Sequence, residues 1–331
     1  MAVSKPGDRP PRSPSFQSLL GTGPGSNSKE QRPEGEEWRA DSLSRSHHSR
    51  LDAEVSRPAE SFDEDKAALL CAEIAREVLG DFAPALLLLP TTERRRAQAL
   101  LAYAHTLFDF ARQSGVEGEK LAQINRWEFT LEAALSGQKV GQPIFLRMAR
   151  ENERRRWPVD ALDELATCAR RRATRPQPAT LADAEADARS LSRAIGTALL
   201  EKSLNAEGND LASALVRLWG LQHLGEEIRR HRCPIPESDI REDGEGRIDA
   251  GPLLEAVRRE CARLRPRLLR SPRGFAELPH GYRRAAAFSL SAALRLLSEI
   301  EDADARLLEE PPRLGVVSRI GFLLRARWFG R

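Results

Sequence analysis

From Phe62 onward, apolar residues recur at spacings of three and four along the chain, with Ala, Leu, Glu and Arg dominating between them. That is the period of amphipathic α-helices. Runs of β-branched residues with period two are absent, so strands are not expected. The stretch SFDEDKAALLCAEIAREVLG begins at Ser61, an N-cap residue type, places acids in its first turn and stops at Gly80, as a single helix would. The same pattern predicts helices over residues 91–114, 118–136, 142–156, 158–174, 180–204, 209–230, 250–270, 280–308 and 313–329. No repeat of fixed period marks a solenoid. The expectation is one all-α domain spanning 61–331.

Residues 1–60 follow another rule. Segments such as KPGDRPPRSPS and GTGPGSNSKEQRPEGEE are rich in Pro, Ser, Gly and Arg and have almost no spaced apolar positions. They cannot repay ordering entropy by burial, which predicts a disordered tail. His47 and His48 in this tail have no acids at ligand spacing and are assigned no role.

With 331 residues, 40% of them hydrophobic, the remainder can bury a substantial core. The 52 basic and 49 acidic residues leave a net charge of +3, and aromatics make up 5%. Neither the field nor the stacking surface of a nucleic-acid binder is present. Cys71, Cys168, Cys233 and Cys261 form no C-x-x-C pair, which argues for reduced core thiols rather than a disulfide framework or a zinc cluster. The longest aliphatic run, Leu86 to Leu89, is far short of the roughly 18 residues of a membrane span. No N-terminal apolar segment resembles a signal peptide, so the expected location is the cytoplasm. P-loop, dinucleotide and G-x-S-x-G fingerprints are all missing, which removes their chemistries from consideration.

The order of several local signatures carries more information. The run LLLLP is followed by ERRR and then by YAHTLFDFARQS. Downstream come EGEKLAQINRWEFTLEAALSGQKVGQPIF, QPATLADAEADARSLSRAIG, LWGLQHLGEEIRRHRCPIP and LRLLSEIEDADARLLEEPPRLGVVSRIGFLLRARW. In order and spacing this series resembles the squalene/phytoene synthase family, the head-to-head branch of the terpenoid synthase fold. The resemblance covers about residues 62–330. It implies a single helical bundle around a central apolar cavity. Two facing acidic motifs would hold Mg²⁺, and the metal with nearby Arg and Tyr side chains would hold the diphosphates of prenyl substrates. Mg²⁺ demands several hard oxygen ligands in near-octahedral geometry.

When Tyr103 is set on the family's tyrosine, the first motif's acidic positions fall on Phe110, Ala111 and Ser114, and its arginine falls on Leu107. A second placement, shifted by five residues, matches Phe110-Ala111-Arg112 to the family's F-A-R, puts Gly115 and Val116 on the paired aspartates and leaves Glu119 as the only acidic match. Spacing back to Pro90 favours the first. At about 100° per residue, Leu100, Ala104, Leu107, Phe108, Phe110, Ala111 and Ser114 share one inward face. Asp109 then lies on the opposite side and reads as a solvated carboxylate.

For the second motif, anchoring Arg232 and Pro236 on the family's G-R-x-Y-x-P puts His223 and Glu227 on the two aspartates. A His-x-x-x-Glu pair can place two ligand atoms on one face and suits Zn²⁺ or Mn²⁺ better than Mg²⁺. The competing reading is a hydrogen-bonded or solvated pair. The family's metal-binding Asn becomes Trp219, its Gln becomes Val216 and its later Tyr becomes Pro234. Tyr103 and Arg232 are the candidate substrate contacts; the alternatives are a core tyrosine and one arm of a charged helix end. Pro178 replaces another family tyrosine, and Glu309 and Glu310 lie near a late family arginine, where they would repel a diphosphate.

The resemblance places the chain near isoprenoid biosynthesis in hopanoid or carotenoid pathways. The substituted positions predict weak or no intrinsic condensing activity, no confident cofactor, and Mg²⁺ only if the chain is catalytic. A prenyl diphosphate or apolar isoprenoid is the expected ligand, and an enzyme of the same pathway is the expected partner. An active head-to-head prenyl transferase and a non-catalytic helical scaffold stay open as alternatives. The tail segment GVVSRIGFLLRARWFGR lines up Val317, Ile320, Leu324 and Trp328 and carries Arg319, Arg325, Arg327 and Arg331. It suits either a membrane surface, peripherally bound, or docking on its own domain.

Overall fold

The computed structural model describes residues 64–230, 232–240 and 250–328. The expected tail over residues 1–60, the Ser61 cap and Arg331 lie outside them. Within the described residues every regular element is helical, as the apolar spacing predicts. In chain order they are α1 (Glu64–Leu79), α2 (Thr91–Arg112), α3 (Glu117–Leu135), α4 (Pro143–Arg154), α5 (Val159–Thr174) and α6 (Leu181–Leu200). There follow α7 (Ala206–Gln222), α8 (Leu224–Arg229), α9 (Ala250–Arg270), α10 (His280–Ala303) and α11 (Val316–Trp328). None is long and apolar enough to cross a membrane.

Local chemistry sets the helix ends. At the start of α6 the Thr180 hydroxyl accepts from the Asp183 amide at 3.2 Å while the Asp183 carboxylate accepts from the Thr180 amide at 3.0 Å. This reciprocal cap satisfies two otherwise unpaired donors. The Asn205 side chain accepts from the Gly208 amide at 2.8 Å to begin α7, and α4 opens with Gln142 accepting from the Phe145 amide at 3.1 Å. Gly80, at φ +50°, ends α1 and turns the chain into a 3-10 segment, Gly80–Leu88. The apolar run after Gly80 is therefore a wound connector with Leu86 inside.

The bundle has two cores. Helices α1 to α6 enclose the first, in which the Trp127 ring lies 4.3 Å from Phe145, 5.5 Å from Phe110 and 6.2 Å from Tyr103. Helices α7 to α11 enclose the second, around Leu218, Leu253, Phe288 and Leu296. Helix α2 runs through the middle of the first and packs against α1, α3, α4, α5 and α6. A small cluster of Ala75, Leu86, Leu89 and Ala97 joins α1, the connector and α2.

Two departures from the elements read off the sequence stand out from shifts of a few residues elsewhere. The expected helix over 209–230 is broken at His223 (φ −100°, ψ 20°), giving α7 and the short α8. Likewise the expected helix over 280–308 stops at Ala303, and Asp304, at φ 48°, leads into a 3-10 turn. Both departures serve one contact. Gly225 on α8 lies so close to that turn that a Cβ there would sit 2.1 Å from the Leu308 carbonyl oxygen. Helical periodicity cannot register such an approach, because it is made by backbone and not by side chains.

Asp81 fixes the C-terminal segment to the connector. Its buried carboxylate accepts from Gln222 at 3.2 Å and from the Leu314 amide at 3.0 Å, and it faces Arg319 at 3.7 Å. Gly225→Ala is expected to lower stability by about 3 kcal/mol through overpacking, read from the urea midpoint by far-UV circular dichroism. Gly118→Ala on α3, where a Cβ would meet nothing within 4 Å, should leave the midpoint unchanged or raise it slightly.

Candidate functional site

The C-terminal turn of α2 meets α8 near the middle of the molecule, and what joins them is charge. Arg112 Nε lies 3.5 Å from Glu227 Oε1, and Arg232 Nε lies 3.3 Å from Glu227 Oε2. Arg232 Nη1 then donates to the Ala111 carbonyl oxygen at 3.1 Å. The circuit thus leaves α2 through the Arg112 side chain and returns to it through the main chain of Ala111. Asp109 extends it, with Oδ1 3.6 Å from Arg112 Nη1 and Oδ2 3.5 Å from His105 Nε2. Burial lowers the pKa of Arg112, and it draws that of Arg232 down to about 10. The adjacent Glu227 carboxylate opposes both shifts and keeps the guanidinium ions charged at neutral pH.

Aromatic groups close one flank of this circuit. The Arg112 guanidinium stands 4.7 Å from the Trp219 ring, within cation–π range. Trp219 in turn donates its indole N–H to the Val78 carbonyl at 3.2 Å. His223 stacks on Trp219 with ring centroids 4.3 Å apart, and its Nδ1 is 2.9 Å from the Trp219 carbonyl oxygen. Because a carbonyl can only accept, Nδ1 carries the proton and Nε2 is the ring's open acceptor. His223 is thus turned back toward α7, while Glu227 faces the arginines.

Behind Arg232 lies a cavity of about 580 Å³ between the end of α5, the start of α6, α7 and the Arg232–Glu237 segment. Trp219, Val216, Ala184 and Pro178 supply apolar wall, and Arg171, Arg172, Arg175, Arg217, Arg232, Asp187 and Glu227 supply charge. Arg172 binds Asp187 at 2.8 Å and stands 5.0 Å over the Phe108 ring. Arg217 is buried, paired with Glu260 of α9 at 2.8 Å and donating to the Pro234 carbonyl at 2.9 Å. The resemblance implied an apolar cavity; the wall of this one is mixed, because five arginines reach it.

The residues singled out from the sequence fall in several places. Glu227, Arg232 and the main chain of Ala111 meet in the circuit, and His223 stands beside it. Phe110 is half-buried edge-on to Trp127, and Ser114 is exposed just past the end of α2. Tyr103 belongs to the first core and not to the cavity wall; it is fully buried, its hydroxyl has no hydrogen-bond partner among the described residues, and burial raises its pKa. The solvated reading of Asp109 is corrected. It is half-buried between Arg112 and His105, because α2 is surrounded by neighbours and has no fully solvated face there. Among the described residues no group of three or more His, Cys, Asp or Glu side chains is arranged to hold a metal.

Sequence reasoning met Arg112 only in the shifted placement of the first motif and missed Arg217 and Glu260. A signal existed for the last two. Arg217 falls on the apolar stripe of Leu211, Ala214, Leu218 and Leu221, and Glu260 on that of Leu253, Ala256, Val257, Cys261 and Leu264. Opposite charges on two otherwise apolar faces point to a buried pair.

Comparison with known proteins places this arrangement among relatives. The family described as squalene/phytoene synthase matches residues 75–319. A dehydrosqualene synthase solved in complex with a ligand superposes with a TM-score of 0.66 at 15% identity, covering 80% of this chain and 97% of that one. Squalene synthase HpnC from Alicyclobacillus acidocaldarius gives 0.57 at 16%, covering 77% and 98%. YisP from Bacillus subtilis subsp. subtilis strain 168 gives 0.53 at 14%, covering 81% and 99%. At these identities the likeness is one of fold. Among curated proteins no sequence matches.

Removing the shared anion of the circuit should cost more than removing either cation. Glu227→Gln leaves two buried guanidinium ions facing each other and is expected to destabilise the fold by about 3 kcal/mol. Arg112→Met leaves Glu227 its Arg232 partner and should cost clearly less. Urea denaturation of both variants tests this order.

Proposed function

The chain belongs to the squalene/phytoene synthase family, and on that premise we propose that it binds a prenyl diphosphate or a related isoprenoid without condensing two of them. The observation that carries this reading is the pairing of Glu227 with both Arg112 and Arg232. A carboxylate engaged by two guanidinium ions has little negative charge left to offer a divalent cation. Phe110, Ala111 and Ser114 on the facing helix contribute no carboxylate. The donors at hand therefore do not fit Mg²⁺.

What the cavity does offer is guanidinium. Arg232, Arg171, Arg172 and Arg175 line one wall, and Arg175 has no ion-pair partner among the described residues. Such groups recognise phosphate oxygens by charge-assisted hydrogen bonds without a metal. Val216, Trp219 and Pro178 supply apolar surface for a hydrocarbon chain, and a volume of about 580 Å³ is that of a small-molecule site. A protein that holds an isoprenoid without transforming it would serve a partner enzyme of the same pathway, whether hopanoid or carotenoid, by delivering or retaining its substrate.

The test is incubation of the purified full chain with farnesyl or geranylgeranyl diphosphate and Mg²⁺ or Mn²⁺. Binding by calorimetry, with neither diphosphate release nor coupled hydrocarbon, is the expected result. Arg175→Gln should weaken that binding by roughly five- to tenfold, in line with loss of one charge-assisted contact. Metal-dependent turnover that disappears in His223→Ala and Glu227→Ala would sink the reading in favour of an active transferase. Absence of any binding would leave a helical scaffold as the better description.

A further inference from the structure

Helix α11 has two apolar faces, and the bundle uses one. Phe322, Leu323 and Ala326 pack into the second core, and Arg319 is tied to Asp81. The other face holds Val316, Val317, Ile320, Leu324 and Trp328, which are 61%, 85%, 53%, 54% and 69% exposed. At about 100° per residue these five occupy roughly a third of the helix circumference. Leu87, on the connector against which α11 packs, is 62% exposed as well. Single exposed apolar residues need no explanation, but a contiguous stripe on one short helix does.

The charge around the stripe is of one sign. From Pro311 to Trp328 the sequence contains no Asp or Glu. Arg313, Arg325 and Arg327 are exposed and make no ion pair among the described residues. Arg325 borders the stripe and Arg327 lies in its last turn, where a long stem lets the guanidinium reach past apolar neighbours to a headgroup. We propose that this face of α11 binds the surface of a membrane containing anionic phospholipid, lying in the interface with its apolar stripe among the upper acyl chains.

A second copy of the chain is the poorer occupant. A two-fold contact through this stripe would press two arginine-bearing helices together with no acid in either segment to offset their charge. An anionic bilayer satisfies both the stripe and the arginines. Asp81 supports the same geometry, since it holds Arg319 and the Leu314 amide and so pins the helix with its stripe outward. This inference is independent of what fills the cavity.

Sedimentation of the full chain with vesicles free of isoprenoid tests it. An equal mixture of phosphatidylcholine and phosphatidylglycerol should carry the protein down, and phosphatidylcholine alone should not. The double variant R325Q/R327Q should bind the mixed vesicles roughly thirty-fold more weakly, at about fivefold per arginine, and V317D/L324D should not bind at all. Both pairs are exposed, so their thermal unfolding by circular dichroism should match the wild type. The proposal fails if mixed vesicles leave the protein in the supernatant, or if neutral vesicles bind it equally well. It fails too if light scattering finds a dimer that V317D/L324D dissociates while wild type ignores both vesicle types.

Discussion

Burying a charge is among the most expensive things a fold can do, and this one buries several within a few ångströms of each other where α2 meets α8. Arg112 and Arg232 are both largely shielded from water, and each is stable there because Glu227 lies between them. The carboxylate has no freedom to do anything else. Asp109 on Arg112 supplies the second negative charge that balances the unit, and around it the rest falls into place: Trp219 supports Arg112, the Trp219 carbonyl holds His223, and the Ala111 carbonyl accepts from Nη1 of Arg232. The helix break at His223 also belongs to this arrangement, since it separates the direction of α7 from that of α8.

The second core is tied to the connector and to the C-terminal segment by interactions of a different kind. A glycine lets backbones touch, as at Gly225 and Leu308, and a single buried carboxylate, Asp81, collects three groups from two distant parts of the chain. Neither arrangement buries much apolar surface. Both fix the elements they touch, while the arginines of the cavity between the end of α5, α7 and the Arg232–Glu237 segment are held by their acids, Arg172 by Asp187 and Arg232 by Glu227. Arg217 and Glu260 do the same at the floor of the second core.

The helices were legible in the sequence because each is amphipathic and capped by ordinary chemistry, and their order carried the family resemblance. Positions with a clear period, such as Leu100, Ala104 and Leu107, are buried as expected. Asp109 was misread for a physical reason: a helical wheel separates two faces but does not know that α2 has neighbours on nearly all sides. The circuit itself was half visible. Glu227 and Arg232 stood out from their place in the second motif, whereas Arg112 met the family's arginine only in the shifted placement of the first, which spacing back to Pro90 disfavoured. Asp81 could not be inferred at all, because its partners Gln222 and Leu314 are set by tertiary approach. Polarity of the cavity was likewise hidden, since nothing in the sequence marks Arg171, Arg172 and Arg175 as meeting at one wall.

The return of Arg232 to a main-chain oxygen has an evolutionary consequence. A carbonyl persists whatever side chain residue 111 carries, so this anchor is indifferent to substitution at the very position where a cation ligand would be wanted. An aspartate introduced there would meet two guanidinium ions before it met any metal, and would add to the ion-paired cluster instead of opening it. No single replacement turns the neutral circuit into a cluster of free hard-oxygen ligands. At least one arginine must leave as carboxylates arrive, and every intermediate on that route carries unbalanced charge in the protein interior. Under the proposed function, a return to metal binding would therefore need arginines and carboxylates to change together.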